Sequence, residues 1–253
     1  MQLKMIRQWL KRPYFLPCIL LGCVITVIVG AFCLAMPATK SVNAGVGLTP
    51  HTIVLDAGHG GEDGGTSSKD GTMEKDINLA VALRLRELLV SAGFEVKMIR
   101  ETDVAVNDPN LATVKQRKAS DIKNRLKFIE NTPDCTFVSI HQNHFSESQY
   151  NGTQVFYSPN ASGSQQLAAQ IQTCVVQQLQ PENKREIKPA TQSIYLLWHS
   201  KVPAVLVECG FLSNPEEAQL LKTTEYQDKM AVAIFDGIVA YFNGEQTEVA
   251  LPT

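Results

Sequence analysis

From Thr52 onward, short apolar runs alternate with longer stretches in which apolar residues recur every three or four positions. The first pattern suits buried strands and the second amphipathic helices, so their alternation predicts layered α/β structure. Ile53-Val54-Leu55 is the first expected strand. Ile77, Val81, Leu85, Leu88 and Ala92 then fall at helical spacing, Gly93 stops the helix, and Phe94 to Ile99 forms a second strand. Strand, helix and strand in that order imply a right-handed crossover and parallel pairing. Beyond a polar loop from Glu101 to about Leu111, a basic helix carrying Ile122, Leu126 and Ile129 leads to a strand at Thr136 to Ile140. A strand at Thr153 to Tyr157, a helix at Gln165 to Leu179 and a strand at Ala204 to Val207 continue the sheet. Helices follow at Pro215 to Leu221 and Glu225 to Phe242, the latter with Met230, Ile234, Ile238 and Tyr241 on one stripe. The expected fold is one three-layer α/β domain over 52–243, a mostly parallel twisted sheet flanked by helices, with a frayed tail at 244–253.

A different pattern precedes this domain. Residues 1–12 are basic through Lys4, Arg7, Lys11 and Arg12, and the chain then runs without a charge from Tyr14 to Met36. A bilayer needs about 20 apolar residues, so 13–37 is expected to form an N-terminal transmembrane helix. The cationic flank keeps residues 1–12 in the cytoplasm and places the domain outside it, on a single-pass membrane protein. A cleaved signal peptide and a secreted product is the competing expectation, since Val42 and Ala44 stand at cleavage-site spacing; the charge-free run exceeds the ~7–15 residues of an ordinary signal core. Residues 38–51 read as a small, polar tether.

Of the 253 residues 44% are hydrophobic, enough for a core and too many for a disordered chain. With the four N-terminal cations set aside, 19 basic side chains remain against 25 acidic ones. Such a body is poorly suited to nucleic acid. Cys135, Cys174 and Cys209 stand apart in apolar contexts without a CxxC pair, and read as buried thiols rather than metal ligands or disulfides.

Four polar residues stand out against this scaffold: His59 and Glu74 on either side of a Gly-rich loop, His141 after Ser139-Ile140, and Glu208 after Leu206-Val207. The carboxyl ends of parallel strands share one edge of a sheet, so these distant groups can converge there. Two imidazoles and a carboxylate suit a catalytic zinc with an open fourth position, and a second carboxylate suits a proton acceptor. Singly, each residue has a plainer reading. The turn Asp56-Ala57-Gly58-His59-Gly60-Gly61 could be a phosphate cradle or a tight turn, although no Lys-Ser or Lys-Thr pair follows it. Glu74 suits the first turn of any helix, and His141 suits a core histidine. Glu208 is harder to dismiss, because a carboxylate closing Ala204-Val205-Leu206-Val207 needs a cation or a proton when buried.

Ile53 to Gly61, Glu74 to Leu79, Ser139 to Asn143 and Pro203 to Asn214 together resemble the four signature blocks of the zinc-dependent N-acetylmuramoyl-L-alanine amidases (amidase 3 type), in the family's order. The resemblance implies one Zn2+ held by His59, Glu74 and His141, with Glu208 as the catalytic glutamate. It implies hydrolysis of the amide between N-acetylmuramic acid and L-alanine in peptidoglycan, Glu208 carrying a proton from the attacking water to the departing nitrogen. The compact form, one anchor and one catalytic domain, resembles the sporulation- and germination-associated members, which act in spore cortex maturation. A zinc peptidase cutting the stem peptide and a catalytically inactive, membrane-tethered wall-binding adaptor are the rival classes. The partners implied are peptidoglycan, the membrane and an activator protein, for which the loop 101–111 offers a relay.

Three further positions are candidates. Asn143 matches the family pattern as a substrate-binding or ligand-orienting residue, with a hydrogen bond in the turn as the alternative. Trp198 stands where relatives often carry a polar or basic residue, and offers either a stacking face for a sugar or packing under a loop. Asp56 is expected to support the Gly-rich loop through backbone hydrogen bonds or to orient a zinc histidine. His144 reads as a surface histidine, and His199 has no assigned role.

Overall fold

The computed structural model describes residues 51–244. The elements in chain order are β1 (Thr52–Ala57), α1 (Glu74–Ser91), β2 (Glu95–Met98), α2 (Val114–Glu130), β3 (Thr136–Asn143) and β4 (Gln154–Tyr157). They continue with α3 (Ser164–Gln178), β5 (Lys188–Pro189), α4 (Tyr195–His199), β6 (Ala204–Phe211), α5 (Pro215–Leu221) and α6 (Thr224–Phe242). The apolar run 13–37, the tether up to residue 50 and the tail from 245 lie outside the described residues. Among the described residues, no helix is long and apolar enough to cross a membrane.

Local sequence accounts for the helix starts. Thr113 and Gln116 form a reciprocal capping box at the head of α2, and Asn214 caps α5 ahead of Pro215. The six strands form one sheet in the order β2-β1-β3-β6-β4-β5. Strands β2, β1, β3 and β6 run parallel to one another, as the crossovers require. Strand β4 runs antiparallel to β6, and β5 follows β4, so the sheet is mixed rather than a continuation of the parallel set. The cause is the connection: residues 144–153 between β3 and β4 contain no helix. A parallel return needs a crossover of roughly a dozen residues or more, usually helical, and the plain loop sends the chain back instead. β5 and the single turn α4 are too short to leave a periodicity in the sequence. Pro189 in β5 is tolerated because that strand is at the sheet's edge.

Side chains alternate between the two faces of each strand. Ile53, Leu55, Val138, Ile140, Val205 and Val207 face α1, α3 and α6 in the larger core. Val54, Phe137 and Ala204 face the other way, with Ile129 of α2 and Leu197 of α4. Burial of each large aliphatic or aromatic side chain contributes about 1.5–3 kcal/mol. Further along that second face the alternation delivers polar side chains: Asp56 in β1, Ser139 and His141 in β3, Glu208 in β6 and Gln154 in β4. Asp56 is paired in register with Ser139, and Glu208 with His141 on one side and Gln154 on the other. A row of chemistry-bearing groups thus crosses the sheet near the carboxyl ends of its parallel strands.

Candidate metal centre and active site

β3 and β6 do not end where their apolar runs end. They continue to Asn143 and Phe211, so His141 and Glu208 sit inside the strands as direct neighbours rather than in loops beyond them. The expected ends followed hydrophobicity, whereas backbone pairing continues wherever the side chains find polar work.

His59 arrives from the turn after β1. Its backbone is left-handed, with φ at 63°, a region few non-glycine residues adopt. Gly60 and Asp63 then exchange backbone hydrogen bonds of 2.9 and 3.1 Å, closing a tight hairpin. That hairpin returns Asp63 to the histidine, whose Nδ1 donates to the Asp63 carboxylate at 2.9 Å. Nε2 is left free to face Glu74 Oε2 at 3.2 Å. Glu74 is the first residue of α1 and almost fully buried. Its other oxygen lies 2.9 Å from His141 Nδ1. The amides of Thr66 (2.9 Å) and Gln142 (3.1 Å) and the side chain of Asn78 (3.3 Å) donate to the same carboxylate and fix its orientation.

His59, Glu74 and His141 each offer one ligand atom, all within 4.8 Å of one another, and the two rings meet edge to face with centroids 5.1 Å apart. One metal ion can be held by that set. The glycines of the loop make the approach possible. A Cβ at Gly58 would fall 2.2 Å from the His141 ring, and one at Gly65 would fall 2.5 Å from the Glu74 carboxylate.

The charges are arranged for a cation. Burial works to lower the His59 pKa, but Asp63 and Glu74 outweigh it and push it up to about 9. Burial likewise works to raise Glu74, but the hydrogen bonds to His141 and His59 hold it well below the usual carboxylate range. Glu208 stands apart: burial pushes its pKa up to about 7, with Glu74 adding to the effect and the imidazoles opposing it. Its Oε2 is enclosed without a hydrogen-bond partner. A buried oxygen beside three side chains that could hold a metal, without a hydrogen-bond partner, is placed to accept a proton from a molecule that enters the site.

Asp56 supports the site by a route other than either expectation. Its carboxylate neither bonds the loop's backbone nor touches a histidine; it pairs with Arg125 of α2 and accepts from Ser139 at 2.7 Å. Arg125 also binds Asp121 at 2.6 Å and donates to Ala57 O (3.2 Å) and His59 O (2.7 Å). The loop is thus held through the guanidinium, because the short Asp56 side chain points into the layer between sheet and α2.

The other candidates are placed at the periphery. Asn143 Oδ1 accepts from the His144 amide at 2.8 Å, the hydrogen bond of a turn. Trp198 is half-buried in α4, where its carbonyl accepts from Asn160. The α4 residue lining the cavity beside His59 and His141 is Leu196. His144 and His199 are exposed, and neither belongs to the group that could hold a metal. Cys135 and Cys209 are buried free thiols, whereas Cys174 is half-buried. Asp63 and Arg125 were missed by sequence reasoning. A carboxylate four residues after a histidine in a Gly-rich turn was the signal available for Asp63; Arg125, on a solvent-rich basic helix, gave none.

A family model described as N-acetylmuramoyl-L-alanine amidase matches residues 53–240. The chain belongs to that family. As a member it is a peptidoglycan amidase. It is 37% identical to the germination-specific N-acetylmuramoyl-L-alanine amidase of Bacillus subtilis, over 77% of this chain and 81% of that one. The structure of the CwlD amidase from Clostridioides difficile in complex with the GerS lipoprotein is similar at a TM-score of 0.74 and 45% identity, covering 77% of this chain and all (100%) of that one. An N-acetylmuramoyl-L-alanine amidase from Clostridium difficile matches at a TM-score of 0.67 and 30% identity, over 79% of this chain and 100% of its own. The matched span 53–240 carries all four of the site's chemical groups.

Proposed function

We propose that this amidase is zinc-dependent, is held by its N-terminal apolar segment on the outer face of the cell membrane, and acts in maturation of spore cortex. The observation that carries the chemistry is the convergence of His59, Glu74 and His141 with the unpartnered oxygen of Glu208 beside them. Two imidazoles and one carboxylate are the donor set of catalytic zinc sites, which keep one position open. Bound there, zinc would polarise the amide carbonyl and acidify water.

The protein's own groups supply the rest. Asp63 fixes the His59 tautomer so that Nε2 faces inward, and the Thr66 and Gln142 amides hold the Glu74 carboxylate in place. Glu208, whose pKa is set near neutrality by burial, takes a proton from the attacking water and delivers it to the L-alanine nitrogen as the amide opens. An amine leaves poorly unless protonated, so this delivery is as necessary as the attack.

The narrower role draws on the germination-specific relative and on the amidase solved with GerS. A lipoprotein activator suits a membrane-held enzyme, and the loop 101–111 is a route for it. Asp103 in that loop accepts from Gly61 N at 2.8 Å and pairs with Lys75 at 2.7 Å, so movement of the loop reaches the His59 hairpin directly.

Metal analysis and digestion of purified cell wall with wild type and Glu208→Gln test the reading. Zinc in both proteins, with intact stem peptides bearing N-terminal alanine released by wild type alone, is the expected result. Shortened stem peptides would make it a peptidase, and absence of zinc after reconstitution would remove the mechanism. Membrane fractionation with external protease tests the topology: the domain should be membrane-bound and digested from outside.

A further inference from the structure

Among the described residues, the cations that pack against the metal loop are already committed. Arg125 is paired with Asp56 and Asp121, Arg117 with Glu62, Lys118 with Asp63 and Lys75 with Asp103. Arg100 is buried and spends its hydrogens on the carbonyls of Ala57, Gly58, Thr102 and Lys75. Arg185, in the loop between α3 and β5, is half-exposed, and no carboxylate lies within ion-pair distance of it among the described residues.

Its position is nevertheless built. Nε donates to Asn151 O at 2.6 Å, and Nη1 reaches Gln154 Oε1 at 3.4 Å. The guanidinium lies 4.5 Å over the Phe211 ring and 5.8 Å from that of Tyr150. Stacking and hydrogen bonds together fix the plane of the fork, which lowers the entropic cost of receiving a planar anion. Gln154 is the direct cross-strand partner of Glu208 on the same face of the sheet, so Arg185 flanks the catalytic carboxylate on the side away from His141.

Resting on the amidase reading, we infer that Arg185 is a specificity-determining residue that binds a carboxylate of the stem peptide and so sets the scissile amide against Glu208. The chemistry of the substrate selects the peptide half. Once its lactyl carboxyl is tied up in the amide, the sugar half carries no carboxylate, whereas the peptide carries several. A rigid guanidinium pairs with a carboxylate through two parallel hydrogen bonds, which an uncharged carboxamide cannot match.

The test uses the metal-loaded full chain and two synthetic muropeptides that differ only in their peptide carboxyls, all free in one and all converted to carboxamides in the other. Wild type should cut the free acid with a kcat/KM about 10- to 100-fold higher, the range expected for hydrogen bonds to a charged group. Arg185→Met, which keeps the aliphatic stem over Phe211, should bring the two substrates toward parity by raising KM far more for the acid than for the amide. Arg185→Lys should restore part of the preference. A structural role, such as balancing the buried Glu217 carboxylate that also feels Arg185, would lower activity on both substrates by the same factor and overturn the inference. So would a wild type that cuts both equally, and in that case the amidase reading stands. If wild type cuts neither while holding its metal, that reading falls and Arg185's role with it.

Discussion

Replacing Arg125 with Met removes the clamp between α2 and the metal loop, and the structure sets both the size and the pH dependence of the effect. Arg125 and Asp56 are 3% and 1% exposed. The variant loses the ion pairs to Asp56 and Asp121 and the bonds to Ala57 O and His59 O, while the Met chain replaces much of the apolar stem. Removing one partner of a buried pair costs about 3–5 kcal/mol, mostly because the other charge is left behind. Against a total stability of about 5–15 kcal/mol, that is a large loss. In the wild type, burial works to raise the Asp56 pKa, but Arg125, with help from His141 and Ser139, holds it below its ordinary 3.8. A depressed carboxylate contributes stability that is present above its unfolded pKa and is lost as pH falls through the folded one. Without Arg125, burial dominates and the folded pKa rises above the unfolded value. The charged Asp56 then costs stability near neutral pH, and the cost shrinks as the solution is acidified toward 3.8. Urea unfolding of metal-free wild type and Arg125→Met, followed by circular dichroism near neutrality and again at about pH 5, measures the gap at both ends. A gap below about 1 kcal/mol near neutrality, or one that does not narrow on acidification, would refute the reasoning.

The remaining expectations concern the site itself. Glu208→Gln should lower turnover by about 10²–10⁴-fold while metal content stays at the wild-type level, read by product analysis and metal assay. The same change should stabilise the metal-free protein above neutral pH by about 1–3 kcal/mol, because the wild-type carboxyl, raised from 4.5 to about 7, is charged there at a cost and regains its proton as pH falls; denaturant midpoints at two pH values check this. Asp63→Asn should weaken metal binding by about 10–100-fold through loss of the His59 orientation, measured by chelator competition with the fold monitored separately. Gly58→Ala should yield protein without metal, since the added methyl would lie 2.2 Å from the His141 ring; full metal occupancy in that variant would show the ring can move aside.

Much of this protein was legible in the order of its residues. Periodicity separated strands from helices because burial leaves a two-residue or a three-to-four-residue rhythm wherever an element is long enough to repeat it. The same reading placed His59, Glu74, His141 and Glu208 beside buried elements, where each had a plainer explanation except Glu208, and the resemblance to the amidase family's four blocks singled them out together. Tertiary structure alone decided the reversal of β4, the cross-strand pairing of His141 with Glu208, and the tie from Arg125 back to Asp56. It also decided that Asp63 rather than Asp56 orients His59, and that Arg185 comes to rest beside the cross-strand partner of Glu208. Sequence patterns report how each segment meets water and how its backbone prefers to turn. Which charged groups are neutralised and which stay open depends on contacts between residues far apart in the chain, and those exist only once the sheet has closed its register.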